Sequence, residues 1–340
     1  MNNYNIAIYG AGSMGTVLGA YLSRAGMAAD LITRDKAHIE ALKNAGAQIG
    51  GTASFSTPPF DGAGGRGLAL LPSEMQKKYD VIFLLTKQLD NAAVATMLNN
   101  FLAGNGVVCT LQNGIPEPLL AETLGPGRTL GCMCAWGSVK TGPGMVELTS
   151  EPDSMSFGLG GLEDNHPMLP AVKTILEKMC HVDVEHNFIG VRWSKLLINA
   201  AFSGMSAVTG WNFGAVAANK KSRDRALYVI KECIEVCRAA GVRIEPVQGK
   251  DIVRLMYFNN PLQKIKASLI LPIAIKKHRA ITSSMLQDLD RGRPCEIDAI
   301  NGVVSSWGKK YSVPTPANDW IIEMVHAIEK GQRKYGPHNL

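Results

Sequence analysis

Hydrophobic and polar positions divide the chain into two stretches of different rhythm. In the first, short apolar runs alternate with segments of helical spacing. Residues 5–9 are an apolar run ending in glycines, 13–25 read as a helix, and 29–33 as a second strand. Residues 80–86 (DVIFLLT) and 106–111 (GVVCTL) are apolar enough to be buried strands, with a helix over 91–102 between them. This alternation predicts a parallel sheet with helices on both faces. Residues 50–67, rich in Gly, Ser, Thr and Pro, read as an irregular excursion or a short hairpin. Residues 129–136, 144–148 and 155–158 read as edge strands, and 167–179 as a further helix. From about residue 187 only helical periodicity remains, over 190–210, 222–240, 261–277, 283–291, 296–310 and 316–330. The polar tail after residue 330 is expected to fray. A chain of 340 residues suits two domains. The change of rhythm places them at 1–186, a doubly wound α/β sheet, and 187–335, all α.

The segment Arg192 to Ser206 carries the most chemical information. It is apolar on nearly every side, yet Lys195, Asn199, Ser203 and Ser206 fall at i, i+4, i+8 and i+11, along one face. A single cation among Trp193, Leu196, Leu197 and Ile198 is costly to bury without a partner. Burial lowers a lysine's proton affinity towards the range useful for proton transfer. Taken alone, the segment is equally a core helix whose Lys195 snorkels to water. Residues 196–218 hold no charge over 23 positions. Their asparagines, hydroxyl residues and three glycines mark a buried helix and its following turn rather than a membrane span.

Gly10-Ala11-Gly12-Ser13-Met14-Gly15 fits GxGxxG, directly after a strand and opening a helix. In that setting the first glycine makes the turn, the second lets a pyrophosphate approach, and the third lets helix pack on strand. The motif marks the first domain as Rossmann-type and dinucleotide-binding, with Ser13 and Met14 in the binding turn. The end of the second strand selects the cofactor. It reads Thr33-Arg34-Asp35-Lys36, with Arg34 nineteen residues after Gly15. Arg34 and Lys36 favour NADP; Asp35 is a counter-signal. Two other strands end in Lys87-Gln88 and Gln112-Asn113-Gly114. Strand C-termini line the ligand crevice of a doubly wound sheet, so Lys87 and Asn113 are candidates to touch the nicotinamide or the substrate. The alternatives are a surface lysine and an ordinary Asn-Gly turn.

Later come Thr282-Ser283-Ser284-Met285 and Arg291-Gly292-Arg293-Pro294-Cys295-Glu296. Gly292 and Pro294 break the helix, so Glu296 falls in the first turn of the next one, where a carboxylate is favoured. Simple helix capping accounts for that position equally well.

Composition narrows the classes. Apolar residues make 46% and charged residues 19% of the chain, ordinary for a globular protein with a good core, and the net charge is +6. Mild basicity suits an anionic cofactor or substrate, and no nucleic-acid motif accompanies it. Seven cysteines form no CxxC pair or disulfide framework and, with no signal-peptide pattern, read as reduced cytoplasmic thiols. The histidines make no HxxxH or HExxH, so no metal is assigned. No GxSxG elbow or GxxxxGK[ST] loop occurs.

With GAGSMG at 10–15, TKQ at 86–88, QNG at 112–114, RWSKLLINA at 192–200, SSMLQDLDRGRPCEIDAINGVV at 283–304 and VPTP at 313–316, the chain resembles the ketopantoate reductase (2-dehydropantoate 2-reductase) family over nearly its whole length. The resemblance implies a Rossmann domain and a helical domain like that of 6-phosphogluconate dehydrogenase, with the active site in the cleft between them. It implies NADPH-dependent reduction of a 2-oxo acid, ketopantoate, to the 2-hydroxy acid in the pantothenate and coenzyme A pathway. It places the catalytic lysine at Lys195 and the active-site glutamate at Glu296. Substrate contacts fall on Asn199 and Ser284, and groups near the nicotinamide on Lys87 and Asn113. In the implied mechanism Lys195 stabilises the carbonyl oxygen and donates its proton, Ser284 binds the carboxylate, and Glu296 binds a substrate hydroxyl and helps hold Lys195. Ser203 stands where the family has a second asparagine, and Ile281 where well-known members have a further one; both put the exact substrate in question. The rival readings are a related 2-oxo or 3-hydroxy acid dehydrogenase and a non-catalytic NADP-binding regulator. The expected partner is a small 2-oxo acid, with no nucleic acid or membrane; the oligomeric state stays open, a homodimer included.

Overall fold

The structure, a computed structural model, describes residues 4–247 and 249–340. The first stretch folds as β1 (Ile6–Tyr9), α1 (Ser13–Arg24), β2 (Ala29–Ile32), α2 (Lys36–Ala45), β3 (Gln48–Gly51), β4 (Phe55–Ser56), β5 (Ala69–Leu70) and β6 (Tyr79–Leu84). It continues with α3 (Asn91–Asn99), β7 (Leu102–Thr110), α4 (Glu117–Leu124), β8 (Thr129–Cys134), β9 (Ser138–Gly142), β10 (Met145–Leu148), β11 (Ser156–Gly161), α5 (Leu169–Leu176) and β12 (His181–Val184). The remainder is helical: α6 (Phe188–Thr209), α7 (Phe213–Ala218), α8 (Lys220–Ala239), α9 (Ile252–Met256), α10 (Pro261–Ala274), α11 (Ser284–Asp290), α12 (Ile297–Lys310) and α13 (Pro316–Glu329). Two units result, one of residues up to Gln112 with Pro116–Phe188, the other of Asn113–Ile115 with Ile189–Leu340.

Unit one is a Rossmann-type fold. Its main sheet runs β12-β11-β8-β7-β6-β1-β2-β5, every pair parallel except β8–β11. Ile6, Ala7, Ile8 and Val81 to Leu84 are buried, as strands covered on both faces must be. Chain direction across the sheet reverses between β1 and β6, which makes their C-terminal ends the switch point where a ligand crevice forms. A second sheet, β4-β3-β10-β9, packs through β9 and β10 on α1, with Phe55 meeting Tyr21 edge-on at 5.1 Å.

Two expectations need correction, and several short elements were not foreseen. The strands expected at edges are internal: β8 pairs with β7 and β11, β11 with β8 and β12, and β10 with β3 and β9. Pairing partners lie far off in sequence, and local pattern does not reveal them. Of the two readings of the Gly-rich stretch, the short hairpin forms at its start, where β3 and β4 pair antiparallel and join the second sheet. The C-terminal tail is docked: Gly336 and the buried Asn339 both donate to the Val208 carbonyl, at 3.0 Å each. Short elements such as α2, α7, α9 and β12 escaped periodicity because four to ten residues hold too few turns or alternations to register.

Unit two is built around α6. Trp193, Leu197, Ala200, Ala201, Phe202, Met205 and Val208 are wholly buried and share one core with α8, α12 and α13. Among the described residues no helix is long and apolar enough to cross a membrane. A buried polar chain braces this core. Glu232 of α8 accepts the N–H groups of Ala317 (2.7 Å) and Asn318 (3.0 Å), capping α13 where Thr315 makes no capping bond. The Asn318 amide oxygen accepts Asn301 Nδ2 at 2.9 Å, and Asn301 Nδ2 also reaches the Ala200 carbonyl of α6 at 3.1 Å. Four helices are thereby held in register.

His38 ties α2 to the rest of unit one. Its Nδ1 accepts the Gly144 N–H at 2.9 Å, and Nε2 lies 2.9 Å from Thr16 Oγ1, so the neutral imidazole fits. Burial, aided by the Lys140 ammonium, holds its pKa at about 4, against 6.5 in an exposed histidine. Between those values the unfolded chain binds a proton that the folded chain does not, so stability rises with pH across the window and falls as pH drops. We expect His38 to cost roughly 2 kcal/mol of stability between pH 7.5 and 5. Urea midpoints of wild type and His38→Gln across that range test it: the variant should lose most of the slope, and parallel slopes would refute it.

Candidate active site

Three glycines from the end of β1 to the first turn of α1 have three different surroundings. Gly10 has φ +104°, and a Cβ there would lie 2.5 Å from the Thr86 backbone nitrogen. A Cβ on Gly15 would lie 2.5 Å from the Gly10 carbonyl oxygen. A Cβ on Gly12 would meet nothing within 4 Å. Gly12 caps α1 without a capping side chain, and the first turn of α1 holds no acid. Open space thus faces a helix N-terminus whose partial positive charge no side chain offsets, an arrangement that suits a phosphate. Ser13 and Met14 sit half-buried in the same turn.

Gln112 stitches the neighbouring strand ends together. Its Nε2 donates to the Thr86 carbonyl and to Asn91 Oδ1, both at 2.8 Å, while its Oε1 accepts from Thr110 Oγ1 at 2.9 Å. Lys87, one residue beyond Thr86, is exposed. The sequence reading missed this brace, since a Gln at a strand end carries no periodic signal.

The Thr33–Lys36 run resolves into separate tasks. Asp35 caps α2, with Oδ1 accepting the His38 N–H at 3.1 Å and Oδ2 pairing with Lys140 Nζ at 2.5 Å. The Lys140 hydrogen bond, then the His38 N–H, hold this carboxyl below the usual range. Arg34 is exposed, and its charge offsets part of the rise that burial imposes on the Tyr9 phenol at the end of β1. The acid that argued against NADP is therefore engaged within the protein.

Unit two contains a cavity of about 210 Å³. Lys195, Asn199, Ser203, Ser284, Glu296 and Asn113, all singled out from the sequence, stand in its polar lining beside Thr282 and Ser283. Phe213, Ile281, Met285 and Ile300 supply an apolar wall. Gly10, Gly12, Ser13, Met14, Gly15, Arg34 and Lys87 belong to unit one, whereas Asn113 belongs to unit two.

Local geometry explains the convergence. One residue per turn of α6 reaches the cavity: Lys195 and Asn199, half-buried, and Ser203, while Leu196, Leu197 and Ala200 between them are buried in the core. Ser206, the fourth residue of that face, does not line the cavity. It is buried, and its Oγ accepts the Ser283 N–H at 3.4 Å, which ties α6 to the start of α11. Ser283 caps α11 through the Leu286 N–H at 3.1 Å and borders the cavity beside the exposed Ser284.

Glu296 is the N-cap residue of α12 rather than a first-turn residue, and its side chain makes no capping bond. Capping does not account for its carboxylate, which lines the cavity. The preceding N–H, of Cys295, is held by Glu329 Oε1 of α13 at 2.9 Å. Glu329 Oε2 lies 2.9 Å from His326 Nδ1, and His326 Nε2 lies 3.0 Å from Asp298 Oδ1. Burial draws the His326 pKa down, but its hydrogen bonds to Glu329 and Asp298 more than offset this and leave it raised. The start of α12 is thus pinned from outside at residues 295 and 298. Phe213, Met285 and Ile300 were missed because an apolar residue on a helix reads as core, whichever surface it faces. Among the described residues no group of three or more His, Cys, Asp or Glu could hold a metal ion.

Comparison with known proteins adds sequence and fold relatives. The family profile Ketopantoate reductase PanE/ApbA matches residues 6–161, and Ketopantoate reductase PanE/ApbA C terminal matches residues 187–329. The curated 2-dehydropantoate 2-reductase of Pyrococcus horikoshii is 26% identical over 324 residues, covering 95% of this chain and 97% of that protein. The enzyme of the same name from Aquifex aeolicus is 26% identical over 325 residues, covering 95% and 96%. Of solved structures, D-mandelate dehydrogenase with NADH and anilino(oxo)acetate superposes with TM-score 0.79 at 23% identity, covering 96% of this chain and 99% of that one. A PanE/ApbA family ketopantoate reductase from Ralstonia eutropha JMP134 superposes with TM-score 0.78 at 24% identity, with the same coverage. At these identities the structural likeness establishes the shared fold.

The glycine surroundings make a paired prediction. Gly12→Ala adds a methyl to open space and should stay within about 1 kcal/mol of wild type. Gly15→Ala drives a methyl into a backbone carbonyl and should cost about 1–3 kcal/mol, which lowers the melting temperature by several degrees. Thermal and urea unfolding of both proteins check this; a Gly12 variant less stable than the Gly15 variant contradicts it.

Proposed function

The chain belongs to the ketopantoate reductase family of oxidoreductases acting on CH–OH groups, and from that premise we propose that it reduces a 2-oxo acid to the 2-hydroxy acid with NADPH, ketopantoate being one substrate. The product is pantoate, which places the reaction in pantothenate and coenzyme A biosynthesis in the cytoplasm. One observation carries the reading: Lys195, Asn199 and Ser203 of α6, Ser284 of α11 and Glu296 before α12 line a single cavity sized for a small acid.

Each group has a task that its chemistry allows. When bound, NADPH supplies the hydride that the keto carbon accepts. Lys195 stabilises the negative charge that develops on the carbonyl oxygen and donates the proton that completes the hydroxyl. Ser284 donates its hydroxyl to the substrate carboxylate. Asn199 and Asn113 orient the carbonyl and the cofactor amide, each able to donate and accept. Ser203 contacts the substrate one turn beyond Asn199. Glu296 accepts a hydrogen bond from a substrate hydroxyl and holds the Lys195 ammonium in place. The wall of Phe213, Ile281, Met285 and Ile300 takes a branched or bulky apolar side chain.

Unit one fits the cofactor. The open space at Gly12 suits the pyrophosphate, with Gly10, Ser13, Met14 and Gly15 forming the turn around it. Arg34 serves the 2′-phosphate, since Asp35 is committed to Lys140 and the α2 cap. Lys87 serves the nicotinamide side.

A second reading is a reductase tuned to a different 2-oxo acid, and the apolar wall favours it. Ile281 can neither donate nor accept a hydrogen bond, so it cannot select for a substrate hydroxyl. A merely regulatory NADP-binding protein has no use for a lysine and a glutamate lining one cavity.

Following NADPH absorbance at 340 nm with a series of 2-oxo acids tests the activity. Ketopantoate should be reduced, but its kcat/KM advantage over bulkier or unhydroxylated 2-oxo acids should stay below about 10³-fold, a bound above what one methylene-scale difference supplies. Lys195→Ala should cut turnover by about 10²–10⁴ and spare NADPH binding. Wild-type turnover in that variant would make Lys195 a bystander. For the cofactor, Arg34→Ala should weaken NADPH far more than NADH, because only the former carries the 2′-phosphate. Dissociation constants for both, measured by fluorescence titration, decide it; equal losses would move the preference elsewhere.

A further inference from the structure

Unit two carries a second groove that the proposed reaction does not use. It measures about 560 Å³, more than twice the catalytic cavity, and lies within the usual range of small-molecule sites. Arg293, Arg333 and Lys334 line it, with Tyr335 and Glu329. Among the described residues none of the three cations is in an ion pair. The acids around them are engaged elsewhere: Glu329 holds the Cys295 N–H and His326, and Asp290 accepts the Tyr335 hydroxyl at 2.7 Å. Cations on a concave surface focus a positive potential, and guanidinium forks match carboxylates and phosphates.

The groove is a formed feature and not a loose tail. Tyr335 packs on Gly210, where a Cβ would come within 2.7 Å of the ring, and the Gly336 N–H bonds the Val208 carbonyl at the end of α6. One short stretch of chain joins the groove to the catalytic cavity. Gly292, Arg293 and Pro294 line the groove, and Glu296, two residues on, lines the cavity. Cys295 between them is anchored by Glu329, itself part of the groove.

We propose that this groove binds a small polyanion, a phosphate ester or a polycarboxylate, and that its occupancy changes substrate affinity through residues 292–296. The binding half stands on the groove alone. The coupling half rests on the assignment of Glu296 to the substrate.

The test uses full-length enzyme saturated with NADPH, so that the phosphate turn of unit one is filled. Inorganic pyrophosphate and citrate are titrated by calorimetry at constant ionic strength, which removes general screening effects. At least one should bind saturably, and the Arg333→Gln/Lys334→Gln double variant should bind it at least tenfold more weakly. The bound anion should shift KM for the 2-oxo acid at least threefold in wild type, with a smaller change in kcat and no shift in the double variant. Without anion, the variant should keep wild-type kcat/KM. Pyrophosphate binding alone identifies a phosphate ester as the ligand class; citrate binding alone identifies a polycarboxylate. Heats no larger than those of sodium chloride, or equal binding by the variant, overturn the site. Binding with an unmoved KM, or a KM shift that survives in the variant, overturns the coupling. An enzyme that reduces no 2-oxo acid refutes the proposed function, while the calorimetry still decides the groove.

Discussion

A charged side chain on a helix that is otherwise buried must be given a polar place to stand, and unit two is organised around that constraint. Leu196, Leu197 and Ala200 commit α6 to the core, so Lys195 has one narrow face on which to meet polar groups. The cavity supplies it, with Asn199 and Ser203 above the lysine and with Ser284 and Glu296 brought in from other helices. Positioning a cation this way demands that α6 neither rotate nor slide. The Glu232–Asn318–Asn301 chain, ending on the Ala200 carbonyl beside Asn199, opposes both motions. Its cost is a buried carboxyl whose pKa burial raises, partly offset by the Ala317 and Asn318 N–H groups.

Unit one depends on a different constraint, the close approach of backbone at the end of β1. Gly10 and Gly15 are required by the protein's own packing, whereas Gly12 leaves room for something else. The same motif therefore combines glycines that the packing requires with one that it leaves open. The charges after β2 divide in a similar way, with Asp35 serving the α2 cap and Lys140 while Arg34 stays exposed.

The pinning of α12 shows how a site residue can be governed from behind. Glu296 makes no capping bond to its own helix, and its neighbours at 295 and 298 are held by Glu329 and His326 of α13. Any ligand or substitution that moves α13 therefore reaches Glu296 through two hydrogen-bonded contacts, without touching the cavity itself.

Much of this was legible in the sequence because it is local. Strands buried on both faces write continuous apolar runs, long helices write a period of 3.6, and GxGxxG is a property of one turn. Those signals sufficed for the two-part fold, for the glycine turn after β1, and for the face of α6 bearing Lys195, Asn199 and Ser203. Only tertiary structure decided which strands lie inside the sheet, since β8, β10 and β11 take one or both partners from distant segments. It decided that Ser206 turns to Ser283 while Ser203 faces the cavity, although both sit on the same helical face. It decided that Phe213, Met285 and Ile300 line a cavity, because an apolar side chain carries no mark of whether it faces core or cavity. It also freed Arg34 from its acidic neighbour, since Lys140, 105 residues past Asp35, completes the pairing. Periodicity records which way a residue points from its own element; what it meets there is set by elements distant in the chain.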